Sequence, residues 1–201
     1  MQEIRAKDLR AAARLCSLTV LWNVLAGGAA IATAVAVGSL SLVGFGINSA
    51  LDSVASAALV WRFRAEESNA HRAARLEELT VRIVGVTLVA VTVYLAARAI
   101  ASLRTGSGPN TSAASLTITA LSALVLPPLA YGKLRLASRL RSRALRGDGV
   151  LTTIGAALAL LALTGLGLSS MLGWSWTDAA AALLMSVLLL REAHLTLRPS
   201  G

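Results

Sequence analysis

The sequence is poor in charge. Asp, Glu, Lys and Arg make up 14% of its 201 residues, against about a quarter in an ordinary soluble domain. The charges are also unevenly spread. None occurs from Leu15 to Leu51, from Thr105 to Gly132 or from Gly149 to Thr177. Each of these runs can hold a helix of roughly 20 residues, the length that crosses the hydrocarbon of a bilayer. The pattern excludes an ordinary soluble domain. Cysteine occurs once, at Cys16, so no intrachain disulfide can form. Histidine occurs twice, at His71 and His194, so there is no histidine-rich metal tract. Aromatics are 4% of the chain, too few to interleave with basic residues as nucleic-acid binding requires. No nucleophile–base pair, phosphate loop or Cys-x-x-Cys motif is present, so the chain does not read as an enzyme.

What is present is apolar sequence in long blocks. The reading is an all-α polytopic membrane protein with six transmembrane helices in one domain, residues 1–201. The spans run roughly Leu15–Val37, Leu42–Trp61, Leu79–Leu103, Ser112–Tyr131, Val150–Met171 and Thr177–Leu197. Arg82 and Arg98, near the ends of the third, can snorkel to headgroups. Pro127 and Pro128 fall inside the fourth and are expected to kink or break it. Tight turns are expected at "VGSLS" and "LGWSWTD". Only a few residues remain after the sixth span, the chain ending "LRPSG", so no soluble C-terminal domain is expected.

Topology follows from the basic residues, nearly all Arg. Seventeen of the 19 lie in the N-terminal tail, in Arg62–Arg82, in Lys133–Arg146 and near the C-terminus; only Arg98 and Arg104 fall on the other side. The positive-inside rule then puts both termini in the cytoplasm. The +9 net charge is explained by orientation and by anionic headgroups, without nucleic acid. The Arg, Ala and Leu bias suggests a GC-rich bacterial coding sequence and a bacterial inner membrane.

The second span carries "FGINSALDSVASAALVWRF". At 100° per residue, Asn48, Ser49, Asp52, Ser53 and Ser56 occupy an arc of about 140°. The rest of the circumference is Ala, Leu, Val and Ile. The polar face must therefore meet the bundle interior or a water-filled cavity. Asn48 and Asp52, one turn apart, can reach one cation with a carbonyl and a carboxylate oxygen. The alternative is that Asp52 only fixes packing, through Asn, Ser or backbone groups of a neighbour. No basic residue precedes Arg62 in this span, so the countercharge of Asp52 is expected to be a proton or a metal ion.

"GSLSLVGFGINSALDSVASAALVWRF" resembles the first-to-second-helix region of the cation diffusion facilitators. It is closest to the short cation-efflux-like members that lack a cytoplasmic domain. "LTVLWNVLAGG", "SRALRGDGVLTT" and "LGWSWTDAAAALLMSVLLLREA" resemble their first helix, their entry to helix five and their sixth helix, in that order. The resemblance implies efflux of a divalent cation, with metal-site positions on helices two and five, metal/proton antiport and a homodimer. It places the helix-two ligands at Asn48 and Asp52, a pairing similar to members associated with manganese. On helix five it places one ligand at Asp148, while the other position is Ala144. An acidic position of helix one in short members is Ala26 here. Thr152 and Asn23 can add weaker oxygens. Such an all-oxygen set suits manganese or magnesium better than zinc. The missing ligands leave a second reading open: a transport-incompetent scaffold, regulator or subunit that serves an unknown partner protein on the same fold.

Other polar residues have simpler readings. Asp148 can instead cap the fifth helix, and Asp178 can cap the sixth behind an interfacial belt of Trp174 and Trp176. His71 and His194 read as solvated, and Arg191 with Glu192 as an interfacial pair.

Overall fold

The computed structural model describes residues 2–65, 89–106, 112–174 and 176–197. All regular structure among them is helical: α1 (Gln2–Val37), α2 (Leu40–Ala65), α3 (89–105), α4 (Ala113–Leu140), α5 (Arg143–Leu172) and α6 (Thr177–Leu197). Four of these, α1, α2, α4 and α5, contain stretches long and apolar enough to cross a membrane. The sixth element has the bounds expected from the sequence. The first part of the third expected span, with Arg82, and the loop histidine His71 lie outside the described residues.

The helices run further than the uncharged blocks. Charge marks the edge of hydrocarbon, while helix propensity continues through Arg and Ala. The difference that bears on the interior concerns α4, which continues nine residues past Tyr131 to Leu140. The segment from Lys133 to Leu140 is thus helix, not loop. The turn that follows is Arg141, in the left-handed region with φ 50°, and Ser142. Nor is α4 broken at Pro127 and Pro128; both lie within one continuous helix. A proline removes one backbone donor and crowds the preceding turn, but packed neighbours in a membrane bundle hold such a helix together.

The ends are fixed by local chemistry. Ser112 and Ser115 form a reciprocal capping box at the start of α4, with bonds of 3.1 and 3.2 Å between each side chain and the other's backbone N–H. Ser142 caps α5 by accepting from Leu145 N. The turns expected at "VGSLS" and "LGWSWTD" are present at Gly38 (φ 72°) and Gly173 (φ 68°), both in the left-handed region that glycine enters without penalty.

Four helices close a ring. α1 packs on α2 and α4, and α5 packs on α4 and α2. α6 lies against α5 and α2, and α3 reaches the same side, with Leu95 over Gly44 of α2. Small residues allow this closeness. A Cβ on Gly46 would stand 2.6 Å from Ile31 Cγ1, and one on Gly27 would stand 2.6 Å from Ser49 Cβ, so neither position of the α1–α2 crossing accepts a side chain without movement. Large apolar side chains point outward instead. Leu21, Leu25, Val35, Leu124, Tyr131 and Val187 are all exposed, as lipid contact requires. The interior holds Ala, Gly and an unusual number of polar groups.

Candidate cation site

The polar groups converge at the centre of the ring, and every ring helix contributes. α1 supplies Cys16 and Asn23, α2 supplies Asp52 and Ser56, α4 supplies Lys133, and α5 supplies Asp148 and Thr152. All seven are buried; Lys133 is 0% exposed, Asp52 1% and Asp148 3%.

Lys133 is the hub. Its Nζ lies 2.7 Å from Asp148 Oδ2 and 4.0 Å from Asp52 Oδ1. It donates to Ser56 Oγ and Thr152 Oγ1, both at 2.9 Å. An ammonium has three protons, and Asp148, Ser56 and Thr152 take all three. The two hydroxyls then pass their own protons to the carboxylates. Ser56 Oγ donates to Asp148 Oδ1 at 2.7 Å, and Thr152 Oγ1 lies 3.1 Å from Asp52 Oδ1. Asn23 Nδ2 donates to Asp52 Oδ2 at 2.8 Å, and the Cys16 thiol lies 3.6 Å from Asp148 Oδ2. One ammonium thus faces two carboxylates, and Asp52 is the one it compensates less closely.

Of the four candidate residues from the sequence, Asp52, Asp148 and Thr152 come together. Asn48 is buried but does not bond Asp52. Its Nδ2 faces Gly155 and has no hydrogen-bond partner. The amide that bonds Asp52 is that of Asn23 on α1, through Nδ2. Its own Oδ1 has no partner.

The structure adds to this reading in three ways. A basic residue does reach Asp52: α4 extends beyond its uncharged block and carries the Lys133 ammonium inward, to 4.0 Å from Asp52 Oδ1. Asp148 is not a helix cap; α5 begins at Arg143 behind the Ser142 cap, and Asp148 sits a full turn inside. Cys16, to which the sequence assigns no part in the site, stands beside Asp148, its thiol 3.6 Å from Oδ2. Ala144, at the expected ligand position, packs with Ala12, Cys16, Leu59, Ala137 and Leu145 in an apolar cluster. Ala26 is likewise buried packing. Among the described residues, no three His, Cys, Asp or Glu side chains are grouped closely enough to hold a metal ion as they stand.

A signal for Lys133 existed. Ser115, Thr119, Ser122, Leu126, Ala130, Lys133 and Ala137 recur at intervals of three and four and form the buried stripe of α4. That periodicity puts Lys133 on the same face as the small polar residues. Nothing comparable marks Cys16.

A second buried carboxylate lies apart from this cluster. Asp178 opens α6, yet its side chain serves α2. Asp178 Oδ1 accepts from Ser39 Oγ at 2.8 Å and from Ser41 Oγ, and Oδ2 accepts from Leu40 N at 2.9 Å. It caps a neighbouring helix, not its own, and welds the turn after α1 to the start of α6. The two tryptophans beside it are about half exposed, with stacked rings 5.8 Å apart.

Residues 17–201 match the cation efflux transmembrane domain family. No curated protein matches the chain.

Proposed function

The chain belongs to the cation efflux family, and on that premise we propose that it exports a divalent cation from the cytoplasm through the ring of α1, α2, α4 and α5. The observation that carries this reading is the convergence of Asp52 and Asp148, from two helices, on one buried positive charge. A pocket that holds an ammonium between two carboxylates and two hydroxyls has the acceptors a metal cation needs.

Asp52 and Asp148 are the primary cargo residues, with Thr152, Ser56 and Asn23 as further oxygens. Asn48 stays a candidate only if the bundle rearranges. A thiol at Cys16 brings zinc into range beside manganese, since zinc favours sulfur and nitrogen donors. Protons entering from the outer side compete with the ion for the carboxylates, so release couples to protonation. Rocking of the ring alternates access. Six crossings with both termini in the cytoplasm, a bacterial inner membrane and a homodimer complete the proposal.

The test is manganese or zinc uptake into proteoliposomes. Wild-type protein accumulates the ion and Asp52→Asn, neutral and nearly isosteric, does not. Equal uptake by the two removes Asp52 from the transport path. One observation favours a second reading, a transport-incompetent scaffold: Lys133 already satisfies the pocket, and Ala144 leaves a ligand position without a donor. That reading is correct if wild-type protein moves neither ion.

A further inference from the structure

Lys133 and the carboxylates it bridges are more than a structural ion pair. The chain has 19 Lys and Arg residues and only two are lysine, Lys7 and Lys133. Arginine would pair more strongly with a carboxylate through its planar fork. At the one fully buried basic position among the described residues the chain instead has a compact ammonium on a flexible four-carbon stem. Its contacts are those of a bound cation: one carboxylate oxygen and two hydroxyl oxygens at 2.7–2.9 Å, with a second carboxylate oxygen at 4.0 Å. The stem enters from α4, while both carboxylates and both hydroxyls it meets come from α2 and α5. Around Asp52 the pocket is less complete. Asn23 donates to Asp52 through Nδ2 while its Oδ1 is buried without a partner, so one acceptor beside Asp52 is left that the ammonium does not use.

We propose that Lys133 is a tethered stand-in for the cargo. Its ammonium occupies the acceptors of the cation site, and it must be withdrawn along α4 before a divalent cation can take them. This inference rests on the cation-transport reading. It assigns to Lys133 the part of an internal competitor that sets how weakly the resting site binds metal.

The experiment uses the full chain purified in detergent, with manganese and zinc each added alone. Binding is followed by titration and unfolding by thermal melting. In Lys133→Met, at least one of the two ions binds tenfold or more tightly than in wild type, and it raises the unfolding temperature of the variant but not of wild type. Lys133→Arg keeps the charge and binds no better than wild type. If Lys133→Met folds poorly without metal, the same ion restores its melting transition; failure to restore it overturns the proposal. Unchanged or weaker binding by Lys133→Met also overturns it. The cation-transport reading then still stands if wild-type proteoliposomes accumulate the ion, and falls with it if they do not.

Discussion

Two buried carboxylate centres stand in the same bundle and are held in opposite ways. At the turn between α1 and α2, Asp178 is met only by neutral donors: two serine hydroxyls and the backbone N–H of Leu40. The start of α2 adds its dipole. At the centre of the ring, Asp148 and Asp52 are met by a full positive charge on a flexible tether. Neutral donors fixed in a helix cap cannot leave without unfolding the cap. A lysine side chain can leave by rotating its stem. The first arrangement is a joint; the second is the one we propose as an exchangeable cation site.

The largest effect is expected from breaking the charge pair. Asp148→Ala takes the nearer carboxylate from the buried Lys133 ammonium and leaves only Asp52, 4.0 Å away, at a cost of about 3–5 kcal/mol. Denaturation in detergent should show that loss, and a cost below about 1 kcal/mol would mean that water reaches the site freely. Asp178→Ala removes an acceptor from three donors and is expected to cost about 1–3 kcal/mol. It should leave cation binding unchanged; altered metal affinity in that variant would erase the distinction between joint and site. Cys16→Ser is smaller still in stability. Its expected mark is selectivity, a fall of about tenfold in zinc affinity relative to manganese, in the range reported for groups that touch a ligand. An unchanged ratio in competition binding would remove the thiol from the site. The smallest effect is a gain. Arg141 holds the left-handed conformation after α4, and Arg141→Gly should raise stability by about 0.5–1 kcal/mol.

The sequence made the membrane character plain, because three uncharged runs of bilayer length have no other use. It also put Asp52 on an inward polar face, where the structure finds it 1% exposed. The two glycine turns were readable from residue type alone. Lys133 was legible only in part: its spacing from Ser115, Thr119 and Ser122 puts it on their face of α4, but a lysine two residues past an apolar run can still snorkel outward, and the packing of α4 against α5 turns it inward. Asp178 misled in a similar way. An aspartate at the start of a helix can cap that helix, but the donors left free at the start of α2 were nearer. Cys16 gave no signal because a cysteine is equally at home in lipid, in packing or beside a carboxylate. The resemblance supplied Asp148, which composition and periodicity alone left open between cap and ligand.

The central claim is that the ring carboxylates hold an exchangeable cation while Asp178 does not. It is tested most directly by metal uptake into proteoliposomes for Asp148→Asn and Asp178→Asn side by side with wild type, each checked for monodispersity. The account predicts that Asp178→Asn transports as wild type does and that Asp148→Asn falls to the level of empty liposomes. Wild-type uptake by Asp148→Asn, or loss of uptake in the well-folded Asp178→Asn, would contradict it.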